Sequence, residues 1–244
     1  MRVTEEPDAA ADRRREDLRE NLAEVRARIA AACAAAGRPA SEVSLVAVTK
    51  TFPVSDIRLL SELGITDVGE NRDQEAAPKA AQAAALGLPL TWHFVGQLQV
   101  NKVASVASYA DVIHSVDRQR LVSALGRRAA AGGRELCCLI QVGLDEAEGR
   151  GGARPDEVAG LAEAIDAEPG LWLGGVMAVA PLGAPARPAF RRLREIASAV
   201  RDRYPRATTI SAGMSGDLED AIAEGATLVR IGTALLGGRP AFVR

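Results

Sequence analysis

Apolar positions along the chain fall into two alternating patterns. Short runs rich in Val, Ile and Leu read as strands buried on both faces, and longer segments with apolar residues three and four apart read as amphipathic helices. Residues 1–17 are charged and Ala-rich with neither pattern, which predicts a disordered leader. Leu18, Leu22, Val25 and Ile29 then predict a helix that Gly37 stops. The run VSLVAVTKT over 43–51 predicts a strand that ends abruptly in Lys50. Further strands are expected over 65–68, 90–95, 111–115, 136–142, 171–179, 208–210 and 227–231. Helices are expected over 57–63, 76–86, 100–109, from Asp117 as cap to 131, from Pro155 to Pro169, and over 190–204 and 218–224.

Strict alternation of strand and helix implies parallel strands joined by helical crossovers. Eight repeats in 244 residues point to α/β architecture, a single (β/α)8 TIM barrel filling residues 18–244. The alternative, a doubly wound open sheet, is weakened because no G-x-G-x-x-G turn follows the first strand.

Composition narrows the function classes. The formal net charge of −2 gives no electrostatic footprint for nucleic acid. No apolar run approaches the ~18–20 residues of a membrane span, and the charged first 17 residues lack the apolar core of a signal peptide. Cys33, Cys137 and Cys138 are odd in number and form no CxxC, which points to buried thiols in a reducing cytoplasm. His93 and His114 have no metal-ligand spacing. Lysine occurs only at positions 50, 79 and 102, all other basic residues besides the histidines being arginine. A lysine at a strand end is therefore a pointed choice, because a lysine amine can lose its proton and attack a carbonyl whereas arginine stays charged.

The sites of a barrel lie at the C-terminal ends of its strands. Those ends offer Lys50, Asn71, His93, Met177, the segment Ser211-Ala212-Gly213-Met214-Ser215-Gly216-Asp217, and Arg230-Ile231-Gly232-Thr233. Small residues with hydroxyls after strands seven and eight suit a phosphate. A carbonyl-binding lysine and a phosphate cradle on one barrel mouth suit pyridoxal 5′-phosphate, with Arg230 as partner of the ring nitrogen. Each residue has a plainer reading taken singly. Lys50 can snorkel, Arg230 can pair with Glu224, Met177 can pack, Asn71 can cap a turn, and His93 can be a hydrogen-bonded residue near the mouth. The combination carries the reading.

VAVTKTFP, GEN at 69–71, WHFVGQLQVNK at 92–102, GVMAVAP at 175–181 and SAGMSGDLEDAIAEGATLVRIGTALLG at 211–237 together resemble the pyridoxal phosphate homeostasis protein family, also called the YggS or PROSC family. The matches run in order from about Asn21 to Gly238. The resemblance implies a barrel like the N-terminal domain of alanine racemase, carrying pyridoxal 5′-phosphate as a Schiff base on Lys50. It implies Asn71 near the cofactor, Met177 against the ring, Ser211, Met214, Ser215, Gly232 and Thr233 around the phosphate, and Arg230 facing the ring nitrogen. It also implies a carrier that buffers the cofactor and delivers it to apo-enzymes. The chain departs from the family at Phe52, where lysine is frequent, at Ala212, where a second methionine is frequent, and in the loop QVGLDEAEGRGG, where Arg150 stands in for a lysine.

Two enzymatic alternatives belong beside the carrier. A racemase of narrow scope needs a second base, and the two tyrosines, Tyr109 and Tyr204, fall in or at the end of predicted helices. A cofactor-free aldolase needs an acid or base near the lysine, for which Glu70 is the candidate.

Overall fold

The computed structural model describes residues 6–144 and 151–238. A long helix, α1 (Glu6–Ala35), leads into β1 (Ser44–Val48), and each strand thereafter is followed by a helix. The order is α2 (Val54–Glu62), β2 (Asp67–Glu70), α3 (Asp73–Ala85), β3 (Thr91–Phe94), α4 (Val103–Tyr109), β4 (Val112–Val116), α5 (Gln119–Gly132) and β5 (Leu136–Gln141). It continues with α6 (Val158–Ala167), β6 (Leu171–Met177), α7 (Ala186–Arg203), β7 (Thr209–Ser211), α8 (Leu218–Ala223), β8 (Leu228–Ile231) and the short α9 (Thr233–Leu236). The eight strands are parallel, each pairs with its neighbours in sequence, and β8 closes on β1 with Val46 opposite Arg230. The expected (β/α)8 barrel is the fold.

The period-two alternation of each strand sorts its side chains between two cores. Outward positions meet the helices. Ala47, Val68, Val229 and Ile231 pack with Leu18, Leu22, Ile57 and Leu60 of α1 and α2 in one cluster. Phe94, Ile113, Cys138, Ile140 and Val176 pack with α4 to α7 in the other. Cys137, Leu139 and Met177 form a separate small cluster with Val112. The alternation puts these inside the barrel, with Val46, His93, His114, Ser211 and Arg230 on the same inward register.

Three expectations change. The leader predicted over 1–17 is helical from Glu6, residues 1–5 lying outside the described set. Alanine and charged residues are good helix formers, and Arg14 anchors this turn by donating to Asp56 at 2.7 Å and to the Leu236 carbonyl at 3.0 Å. Asp117 does not cap α5; it pairs with Arg118, which takes the N-cap position. The second strand begins at Asp67 rather than at Ile65, because its register is set by pairing Asp67 with Thr91.

Candidate functional site

Alternation also decides which residues reach the mouth. At the end of β1 and just past it, Val48 and Lys50 face inward and Thr49 faces out. Thr49 Oγ1 donates to Glu70 Oε1 at 2.7 Å, while Val48 and Lys50 line a cavity of about 380 Å³ at the C-terminal ends of the strands. The cavity is also lined by Asn71, Val95, Val179, Met214, Ser215, Gly216, Arg230, Gly232 and Thr233. Among the described residues two cations and no carboxylate line it, an arrangement whose field favours an anionic ligand.

The turn that carries Lys50 is held from outside. Lys79 on α3 donates to the Thr49 carbonyl at 2.9 Å and to Glu70 Oε1 at 2.7 Å. Glu75 Oε2 accepts the Thr51 N–H at 3.0 Å. Thr51 has φ +69, the only positive φ outside glycine among the described residues. A β-branched residue there is strained, and these contacts keep it so. Lys50 itself has no ion pair or hydrogen bond among the described residues, so its amine remains available to the cavity.

Close backbone approach shapes the opposite walls. A Cβ on Gly96 would lie 2.1 Å from the Asn71 carbonyl oxygen, so a side chain there would push Asn71 out of place. Gly213 has φ +92, and a Cβ on it would meet that of Ala221 at 2.8 Å. This lets its carbonyl accept the Arg230 N–H at 2.9 Å. After β7 and β8, the N–H groups of Ser215, Gly216, Gly232 and Thr233 have no acceptor among the described residues. Ser215 Oγ accepts the Ala234 N–H at 3.2 Å and so ties the two loops together. α1 clamps the same region: Arg28 donates to the Ser215 carbonyl and Asn21 to the Leu235 carbonyl, both at 3.0 Å. Free N–H groups on two stitched loops are an arrangement suited to an anion.

Arg230 is buried at the cavity floor. Its Nη1 donates to Ser211 Oγ at 2.5 Å and its Nη2 to the Ala178 carbonyl at 3.0 Å. Burial pulls its pKa down to about 10, still protonated at neutral pH, and Asp217 works weakly against that fall. Ser211 Oγ also meets His114 Nδ1 at 3.0 Å, His114 Nε2 meets His93 Nδ1 at 2.8 Å, and His93 Nε2 meets Asp67 Oδ1 at 2.9 Å. Burial, then the neighbouring His93 and Arg230, hold His114 well below the ordinary imidazole range. Burial works to raise the Asp67 carboxyl, but hydrogen bonds from His93 and Thr66 outweigh it and the net shift is downward.

Seven of the nine residues expected at the site line the cavity: Lys50, Asn71, Met214, Ser215, Arg230, Gly232 and Thr233. Met177 and Ser211 do not line it. Met177 packs on Cys137 and Leu139, and Ser211 is wholly buried beneath Arg230. His93 is not near the mouth; it points into the barrel towards Asp67, the first residue of β2. Arg230 does not pair with Glu224, which takes Arg187, Arg191 and Arg194 instead. Phe52 lies buried under the Arg14 guanidinium, 5.6 Å from its ring centroid. Arg150 lies outside the described residues. The sequence reading missed Lys79, Glu75 and Arg28. Lys79 carried a signal, being one of three lysines in a chain otherwise served by arginine.

Comparison with known proteins shows the family and the fold. Residues 17–240 match the alanine racemase N-terminal domain family. A pyridoxal phosphate homeostasis protein of Corynebacterium glutamicum is 44% identical over 211 residues, covering 83% of this chain and 93% of the relative. That of Pseudomonas aeruginosa is 43% identical over 208 residues, covering 84% and 88%. The structure of PipY of Synechococcus elongatus with pyridoxal phosphate bound superposes with a TM-score of 0.79 at 35% identity, covering 90% of this chain and all of that one. An alanine racemase of Clostridium difficile shares the fold, with a TM-score of 0.71 at 15% identity over 93% of this chain and 58% of that one. No helix among the described residues is long and apolar enough to cross a membrane. The chain belongs to the alanine racemase N-terminal domain family and, with the relatives it matches along most of their length, to the pyridoxal phosphate homeostasis proteins.

Proposed function

We propose that this protein binds pyridoxal 5′-phosphate reversibly in the mouth of the barrel and serves as a cytoplasmic carrier that buffers the cofactor and hands it to apo-enzymes. The observation that carries the reading is the grouping, in one cavity, of a lysine and a set of N–H groups, both without partners among the described residues, and a buried arginine.

The residues fit the group. Lys50 supplies the amine that attaches to the aldehyde, with loss of one water, and among the described residues no carboxylate in the cavity competes for it. The N–H groups of Ser215, Gly216, Gly232 and Thr233 suit the phosphate. Arg230 suits the ring nitrogen, because a fixed cation disfavours a proton on that atom. Asn71 and Met214 border the remaining wall. Met177 and Ser211 act from behind, Met177 by packing and Ser211 by holding Arg230. Bound to an enzyme, the cofactor serves as an electron sink; an arginine at its ring nitrogen weakens that capacity.

Two features favour holding over turnover. Tyr109 is packed edge-on to Trp92, and Tyr204 lies at the end of α7; neither lines the cavity, so neither supplies a second base across from Lys50. Glu70 is fully buried, bound to Thr49 and Lys79, and outside the cavity, which counts against the aldolase reading. The test is absorption spectroscopy of the purified protein with added pyridoxal 5′-phosphate, alongside α-proton exchange of amino acids in D2O. A visible band that Lys50→Ala abolishes, without exchange at ordinary enzyme rates, is expected. A protein that takes up no cofactor, or that exchanges α-protons rapidly, contradicts the proposal.

A further inference from the structure

The barrel interior is where a parallel barrel normally packs aliphatic side chains in layers. Here a continuous polar chain crosses it, from Asp67 on β2 through His93 on β3 and His114 on β4 to Ser211 on β7 and Arg230 on β8. His93, His114, Ser211 and Arg230 are buried, and Asp67 is part-exposed at the end of the barrel opposite the cavity. Burying this many polar groups is costly unless each is satisfied, and here each link has its partner.

We propose that His93 and His114 are positioning residues, forming with Ser211 a one-way chain of hydrogen bonds that orients Arg230 towards the cofactor's ring nitrogen and ties its polarity to Asp67 at the far end of the barrel. The proposal rests on the cofactor reading above and goes beyond it by naming what sets the arginine.

The direction of the chain follows from counting protons. Ionised Asp67 only accepts, so His93 carries a proton on Nε2; in the relay proposed here that is its one ring proton, and Nδ1 accepts. His114 must then donate from Nε2 to His93 Nδ1. His114 is buried and uncharged, so its Nδ1 is bare and accepts from the Ser211 hydroxyl. The Ser211 oxygen is left to accept from Arg230 Nη1. Every donor therefore points from Arg230 towards Asp67, with a cation at one end and a carboxylate at the other, an order in which successive bonds polarise one another. Nη1 on Ser211 and Nη2 on the Ala178 carbonyl fix the guanidinium plane at two points. Each imidazole is bonded through both ring nitrogens, so neither ring can turn without breaking two bonds.

The chain contains only these two histidines, so imidazole 15N NMR reads the relay directly in the protein without cofactor. Both rings are expected as neutral Nε2–H tautomers with slowly exchanging N–H protons. Asp67→Asn, made at the part-exposed end, is expected to move the His93 Nε2 resonance. In protein saturated with pyridoxal 5′-phosphate it is expected to shift the absorption maximum of the bound cofactor, a change that a purely structural carboxylate so far from the cavity would not cause. Ser211→Ala, which cuts the chain one bond from Arg230, should shift the maximum in the same direction and further. Nδ1–H tautomers, or an absorption maximum unmoved in both variants while the parent binds cofactor normally, would overturn the relay. A parent protein that takes up no pyridoxal 5′-phosphate overturns instead the functional reading, and with it the ring-nitrogen half of this proposal.

Discussion

Two cationic regions flank the C-terminal end of β1, and they are built in opposite ways. Outside the barrel, Lys79 is spent on structure: Glu70 and the Thr49 carbonyl hold it, and little of its side chain reaches solvent. Inside, Lys50 and Arg230 face one cavity that no carboxylate lines among the described residues. The same residue type thus serves two purposes one strand face apart, and the partner decides which. An amine matched to a buried carboxylate stabilises the turn; an amine without one keeps its lone pair accessible after deprotonation.

The largest effect should come from breaking the outer pair. Lys79→Met leaves Glu70 as a buried, unmatched carboxylate and should cost about 3–5 kcal/mol in chemical denaturation. Lys50→Ala should change stability by no more than about 0.5 kcal/mol, as expected for a side chain without partners among the described residues. Equal losses in the two variants would erase the contrast. Glu70→Gln in the Lys79→Met background should recover much of the loss.

The outer pair also predicts a pH dependence. Burial holds the Glu70 carboxyl above its ordinary value in spite of Lys79 and Thr49, and its second oxygen has no partner among the described residues. A raised carboxyl binds more protons in the folded state than in the unfolded one between the two pKa values. Its stabilising contribution is therefore full below the unfolded carboxylate range and declines as pH rises through the folded pKa. Comparing the pH–stability curves of the parent and Glu70→Gln isolates this slope, and it should vanish in the variant.

On the inner side, Arg230→Gln should weaken pyridoxal 5′-phosphate binding by roughly 10- to 100-fold, the range for a lost charge-assisted hydrogen bond, as measured by equilibrium titration. Arg28→Ala, which frees the Ser215 carbonyl from α1, should weaken it by roughly fivefold or less while leaving the attachment at Lys50 intact. A small effect of opposite sign belongs to Thr51→Gly: relief of the left-handed backbone should raise the unfolding free energy by about 1 kcal/mol or less after the entropy lost with glycine, read by chemical denaturation.

The sequence pattern made the barrel legible because each strand was a short apolar run and each helix a periodic one. It also singled out Lys50, Arg230 and the two glycine-rich loops, since a strand end is a local feature. The relay was not legible in the same way. His93 and His114 lie 21 residues apart, and only the pairing of β3 with β4 brings their rings together. Ser211 could be placed after β7, but whether it faces ligand or lies beneath Arg230 depends on the inward register of both β7 and β8. α1 was cut short because residues before Leu18 lack an apolar stripe, whereas polar anchoring through Arg14 gives them a place on the fold.

The central claim is that Lys50, and not its outer counterpart, holds the cofactor. The direct measurement is borohydride reduction of the protein loaded with pyridoxal 5′-phosphate, followed by peptide mass spectrometry. The account predicts a single cofactor adduct on the peptide carrying Lys50. An adduct on Lys79 or Lys102, or none on any lysine of a protein that had bound the cofactor, would contradict it.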